Sequence, residues 1–304
     1  MRLFGGGSGD GEAERLAQER QEASIAALNA GGLPLNATER LKEQASRQGT
    51  DKHFFTSDLS VNEFLLAREM GYESLGLVMG SSVYQIGWQF MPSSNWWYQS
   101  GELQVMSQAQ SEARQLAMNR MEEEARLLGA DGVVGVRLTR RVVEGHLIEF
   151  MAVGTAVRHP ESRKRGDGRP FLSDLSGQGI WQLEEAGFVP VGFGFGTCVY
   201  FQIPDWRGQN VMWSWSNGEM VSLTGGFYAA REIAMERLTD EFEQTDADGI
   251  VGVELEVFAE PRTDDHDHLI GLIIHYTAYG TAISRMPTRV DLDIHPVLPL
   301  VDNQ

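Results

Sequence analysis

The chain has 304 residues, a formal net charge of −18 and one cysteine, Cys198. So acidic a balance excludes a nucleic-acid partner, because phosphate binding needs clustered Lys and Arg to release counterions. One cysteine excludes an intrachain disulfide framework and Cys-rich zinc or iron–sulfur sites, and it fits a reducing cytoplasm.

The first residues, Met1-Arg2-Leu3-Phe4, run into Gly5-Gly6-Gly7-Ser8-Gly9 without an apolar stretch, which argues against a signal peptide. Residues 10–30 read as an exposed helix, with Leu16, Ile25, Ala26 and Leu28 sparse among Glu, Gln and Arg, ended by Gly31-Gly32. Asn36 is placed to cap a second helix, with Glu39 completing a capping-box pattern. Residues 1–52 are thus expected to be a helical extension, either a docking arm for a protein partner or a cover for the first domain.

From there the sequence repeats itself. Phe55-Thr56-Ser57-Asp58-Leu59-Ser60 returns as Phe171-Leu172-Ser173-Asp174-Leu175-Ser176, and Ala130-Asp131-Gly132-Val133-Val134-Gly135-Val136 as Ala247-Asp248-Gly249-Ile250-Val251-Gly252-Val253. Gly154-Thr155-Ala156-Val157 returns as Gly280-Thr281-Ala282-Ile283. The offset is too long for a solenoid unit of about 20 to 50 residues, so the unit is a domain. The expected division is a first copy at 53–159, a charged linker at 160–170, a second copy at 171–285 and an extended tail at 286–304.

Within each copy an approach segment ends at Gly71 or Gly187, and a strand comes next over 74–86 or 190–203. A Trp-rich loop then feeds an amphipathic helix, marked by Met106, Ala109, Ala113, Leu116, Ala117, Met121, Ala125 and Leu128 and by Ile233, Ala234, Leu238 and Phe242. Two strands close the unit: Val134, Val136, Leu138 and Val142 alternate with Arg137, Thr139 and Arg141, and the last strand is apolar on both faces. The fold class is α+β, with two tandem β-α-β-β two-layer domains and an N-terminal helical extension. One helix covers one face of such a sheet, so the second apolar face requires another domain or subunit. The most apolar run, 269–283, contains His275 and is shorter than the roughly 20 residues of a membrane helix, so no membrane insertion is expected.

An Ala-Arg pair in a helix, then Leu128 to Val136, then Gly154 to Val157, resembles the YbjQ-type family, which is labelled heavy-metal-binding; the second copy carries the same motifs. The resemblance implies a β-α-β-β fold of the dodecin-subunit type in five-fold rings, a homo-oligomer with no catalytic residue to carry over.

Candidate chemistry is sparse. In extended backbone Asp264, His266 and His268 point one way and offer two imidazoles and a carboxylate to a divalent transition metal; Asp291, Asp293 and His295 repeat that spacing in the tail. Trp96, Trp97 and Tyr98 in one loop and Trp213 and Trp215 in the other form either a stacking site for a planar ligand or a subunit interface. Arg137, Thr139 and Arg141 of the first copy correspond to Glu254, Glu256 and Phe258 of the second, so the face carrying Arg137 and Arg141 and the face carrying Glu254 and Glu256 either meet as opposite charges, within a chain or between chains, or are both solvated with charges that have drifted apart. The alternating Gly192, Gly194 and Gly196 read as close backbone packing rather than a dinucleotide fingerprint. Asp131 and Asp248 read as turn residues. No nucleophile–base pair emerges, so the expected protein is non-enzymatic and ring-forming. It binds a heavy-metal ion or, alternatively, stacks a planar ligand or serves as a pure scaffold.

Overall fold

Two long antiparallel hairpins organise the protein, one per copy. A computed structural model describes residues 9–50, 54–85, 99–144, 147–160, 168–205, 217–243, 247–263, 266 and 268–286. In chain order the elements are α1 (Gly9–Asn29), α2 (Leu35–Ser46), α3 (Val61–Glu69), β1 (Glu73–Gln85), β2 (Gly101–Glu102), α4 (Gln104–Leu127), β3 (Gly132–Glu144) and β4 (Leu147–Arg158). The second copy supplies β5 (Phe171–Leu172), α5 (Gly177–Glu185), β6 (Phe188–Gln202), α6 (Val221–Glu243), β7 (Gly249–Thr263) and β8 (Leu269–Arg285). They form two four-stranded sheets, ordered β1-β4-β3-β5 and β2-β6-β8-β7.

The copies exchange strands. β2 belongs to the first copy yet pairs antiparallel with β6, and β5 opens the second copy yet runs parallel on β3. Two residues carry no periodic signal, so both short strands are invisible in sequence.

Helix α4 packs hard on its own sheet. Gly80 lies beneath it: a Cβ there would overlap the Ala117 carbonyl oxygen and lie 2.6 Å from the Met121 amide nitrogen. Met121, Ala113, Ala117 and Ala125 are fully buried with Val78 and Phe150. Each large apolar side chain so buried contributes roughly 1.5–3 kcal/mol. Gly196 plays the part of Gly80 under α6, where Ala230 and Ala234 pack on Ile274 and Tyr276. The alternating glycines of β6 are therefore helix-packing positions, as their spacing suggests.

The second face of α4 packs on the other copy's sheet. Leu103 and Met106 join Val199, Phe201 and Ile273, and Phe193 and Phe195 share one core with Met118. One helix thus covers a face of both sheets, while α6 covers the remaining face of the second.

The N-terminal helices behave in two ways. Most of α1 is exposed, including Leu16 and Ile25. From α2, Leu41 is buried in the first copy's core, Gln44 Nε2 donates to Leu75 O at 3.0 Å, and Arg40 pairs with Glu124 at 3.2 Å. Asn36 is not the cap expected of it. It lies inside the first turn, its Oδ1 accepting from Ala37 N at 2.9 Å, and Pro34 holds the N-cap position without a side-chain bond. The capping box is instead at Ser60 and Glu63 at the start of α3.

Candidate functional site

The repeated motifs fold onto one another. In the first copy Ser57 Oγ lies 3.3 Å from Thr155 Oγ1, which also accepts from Asp58 N at 3.0 Å. In the second, Ser173 Oγ lies 2.9 Å from Thr281 Oγ1, which accepts from Asp174 N at 3.1 Å. The Ser-Asp of the approach segment is thus clamped by the Thr of the last strand. The Ala-Asp-Gly motif supplies a bulge: Gly135 and Gly252 have φ of +64° and +66°, a left-handed conformation that only glycine adopts without cost. Asp131 Oδ2 accepts from His159 N and Asp248 Oδ2 from Arg285 N, the turn role expected of both.

Between the copies these motifs enclose a cleft of about 310 Å³, lined by Asp58, Glu63, Arg137 and Thr139 from the first copy and Asp174, Ser176, Glu254 and Tyr279 from the second. Its electrostatics turn on one exchange. Arg137 forms an ion pair with Asp58. The matching position holds Glu254, so Asp174 has a carboxylate where Asp58 has a guanidinium. Burial first, and Glu254 in addition, push the Asp174 carboxyl up to about 6, against the lowering effect of the Thr281 hydrogen bond. Tyr279 donates to Glu254 at 2.7 Å, and burial together with that carboxylate pushes the phenol upward. Hydrogen bonds from Ser60 hold Glu63 below the ordinary carboxylate range.

A second polar cluster lies on the buried side of the joint. Arg114 is buried, donates to Glu256 at 2.9 Å and to Thr197 at 3.2 Å, and sits 4.8 Å from the centre of the Phe150 ring. Gln110 Nε2 is 2.8 Å from His275 Nδ1. His275 stacks on Phe258 at 4.2 Å between ring centres, and Arg140 lies 3.9 Å from the Phe258 ring. Burial, with Arg140 and Arg114 nearby, pushes His275 down to about 3. Neither cluster holds a nucleophile paired with a general base.

Of the metal-ligand, aromatic and interface-charge candidates singled out in sequence, six lie among the described residues: His266, His268, Arg137, Arg141, Glu254 and Glu256. His266 and His268 are exposed at the β7–β8 tip with ring centres 6.1 Å apart. Asp264 lies outside the described residues, as do Asp291, Asp293 and His295, and Trp96, Trp97, Tyr98, Trp213 and Trp215. Among the described residues no three His, Cys, Asp or Glu side chains converge to hold a metal ion. The four interface charges find partners inside the chain other than each other: Arg137 takes Asp58, Arg141 takes Glu149 at 3.3 Å, Glu256 takes Arg114 and Glu254 takes Tyr279. Arg137 and Glu254 nonetheless face the same cleft. Cys198 is buried, and desolvation pushes its thiol up to about 12, which makes it an inert packing residue. Sequence reasoning missed Gln110 and Arg114; the available signal was two polar residues on a helix flank rich in Met and Ala.

Comparison with known proteins gives the family. A family profile named YbjQ_1 and described as "Putative heavy-metal-binding" matches residues 69–159, within the first copy. A protein of Mycobacterium tuberculosis named an encapsulin nanocompartment protein is 41% identical over 251 residues, covering 81% of this chain and 92% of the relative. The chain belongs to the YbjQ-type family. Single-copy members match over about one third of it. A UPF0145 protein of Clostridium novyi is 36% identical over 32% of this chain and 92% of its own length. Another, of Halorubrum lacusprofundi, is 38% identical over 33% of this chain and 97% of its own. The mycobacterial match is longer than either copy, in keeping with tandem YbjQ-type domains. No helix among the described residues is long and apolar enough to cross a membrane.

Proposed function

We propose that this YbjQ-type chain is a non-enzymatic, self-assembling cytoplasmic protein that forms rings and serves as a component of a protein nanocompartment. The assembling units are the two copies, 53–159 and 171–285, each a β-α-β-β unit of the dodecin-subunit type. The observation that carries this reading is the outer face of the first sheet. Met79 and Val83 on it are 48% and 56% exposed, whereas Phe195 and Val199, their counterparts in the second sheet, are 6% and 0% exposed beneath α4. Leu77 continues the exposed apolar row along β1. A face that is core in one copy and exposed in the other is an unfilled interface. The nanocompartment role draws support from the mycobacterial relative. Replacing Met79 and Val83 together by Glu is expected to shift the protein to monomers in light scattering at micromolar concentration, with an unchanged thermal midpoint. An oligomer that survives the double substitution contradicts the reading.

The family description points to a heavy metal, and the β7–β8 tip is the place we propose for it. Two imidazoles at the tip are half of a tetrahedral set, with Asp264 two residues before His266 in sequence. Replacing His266 and His268 by Ala is expected to abolish zinc or nickel binding in calorimetry while leaving assembly intact; unchanged affinity removes the tip from consideration.

A further inference from the structure

This inference rests on the proposed self-assembly and specifies its joint. We infer that chains associate head to tail by repeating, between one chain's second copy and the next chain's first copy, the joint that already holds the two copies of a single chain together.

Inside the chain the joint has a strand part and a helix part. In the strand part the approach segment of the second copy lies on the β3 edge: Ser173 N donates to Val133 O at 2.9 Å, Val136 N to Ser173 O at 2.9 Å, and Phe171 N to Asp131 O at 3.0 Å. The Phe171 ring drops over Gly132, where a Cβ would collide with it, and is buried with Tyr72, Val134 and Val157. In the helix part, α4 covers the outer face of the second sheet.

Both parts recur on the other copy, and none of the described residues covers them. The counterpart of the β3 edge is β7 from Gly249 to Val253. Its Val253 is 40% exposed where Val136 is 1% exposed. A Cβ on Gly249, the counterpart of Gly132, meets no atom within 4 Å. Among the described residues, nothing fills in the second copy the slot that Phe171 fills in the first. The counterpart of the Phe171 segment is Phe55-Thr56-Ser57, half-exposed to exposed, with Phe55 stacked on its own Phe64 at 5.5 Å. The counterpart of α4's outer flank is α6 with Tyr228 and Arg231 exposed, and the counterpart of the face it covers is the bare row of Leu77, Met79 and Val83.

The part-exposed approach segment and the exposed sheet face both lie on the first copy; the exposed edge and exposed helix flank both lie on the second. All four are satisfied by one contact between two chains in the same orientation as the joint within a chain. Ser57 of the next chain would pair with Ile250 and Val253, and Phe55 of the next chain would seat over Gly249. The contact joins unlike surfaces, so it propagates from chain to chain rather than ending at an isologous dimer, and the proposed ring is the case in which the rotation closes. A parallel two-residue addition supplies main-chain hydrogen bonds, and the ring in its slot supplies the register.

The test uses the full chain. Gly249→Val fills the slot at a position with open space around it, so the chain is expected to keep its urea midpoint while its assembly weakens about tenfold or more in concentration-dependent light scattering. A second variant carries Thr56→Cys and Ile250→Cys, which a repeated joint places directly opposite each other. Mild oxidation is expected to give a ladder of covalent multimers on a denaturing gel that collapses with reductant, and neither single variant gives it. An oligomer that persists in Gly249→Val and yields no ladder overturns this joint while leaving the proposed self-assembly standing. A wild-type chain that stays monomeric overturns both.

Discussion

Gly196→Ala is expected to destabilise the protein by about 3 kcal/mol, at the upper end of what inserting one methyl group into a packed core costs. The reason is backbone against backbone. A Cβ on Gly196 would overlap the Ala234 carbonyl oxygen and stand 2.7 Å from the Leu238 amide nitrogen, so α6 must lift off β6 to admit it. Lifting α6 loosens the burial of Ala230 and Ala234 against Ile274, which forms the centre of that core. Gly192→Ala, on the same strand and the same side, is the control. Its Cβ would meet a Phe242 ring carbon at 3.3 Å, a side-chain atom that can give way, and the expected loss is under about 1 kcal/mol. Urea unfolding of the two variants decides the matter; equal midpoints would contradict the close helix–strand approach.

The second large effect is in the pH dependence of stability. His275 in the folded chain is held at about 3, chiefly by burial and further by Arg140 and Arg114, with Glu260 Oε1 3.6 Å from its Nε2. An unfolded histidine titrates near 6.5, so below that pH the unfolded chain takes up a proton that the native chain refuses. Stability from this residue is complete above about pH 6.5 and falls at about 1.4 kcal/mol per pH unit towards pH 3, or about 2 kcal/mol by pH 5. Asp174 acts in the opposite sense. Its folded value of about 6 lies above the unfolded value near 3.9, so its contribution is complete below about pH 3.9 and is lost as pH rises through 6. Between about pH 4 and 6 the two slopes oppose, and the wild-type profile is flattened. Replacing His275 by Phe, which keeps a ring against Phe258, removes one slope. Going from pH 6.5 to 5, the variant is expected to gain about 2 kcal/mol relative to wild type in reversible urea unfolding. Parallel profiles would show that His275 is not held neutral in the joint.

Much of this architecture was legible in the sequence because it rests on period and repetition. The alternation along β3 and β4, the apolar stripe of α4 and the Ser-Asp, Ala-Asp-Gly and Gly-Thr-Ala motifs all mark positions that the fold uses for pairing, turning or clamping. The need for a second cover on the sheet also came from counting apolar faces. What the sequence hid is how unlike the copies have become. Arg114 and Gln110 look like polar flank residues of an amphipathic helix until α4 is seen between two sheets. β2 and β5 are too short to carry a pattern, yet they stitch each copy to the other. Opposed charges at Arg137 and Glu254 suggested direct pairing, but nearer partners within each approach segment and strand, Asp58 and Tyr279, took them first. Asn36 lost its expected cap role because Pro34, with its fixed φ, starts the helix earlier.

The proposed joint is made once within the chain and again between chains. Native mass spectrometry of the purified full chain at low micromolar concentration tests it most directly. The expected spectrum shows one discrete closed assembly at an integer multiple of 33.8 kDa, which Gly249→Val shifts towards the single chain. A dominant species at 33.8 kDa in the wild type, unchanged in mass as concentration rises, would contradict it.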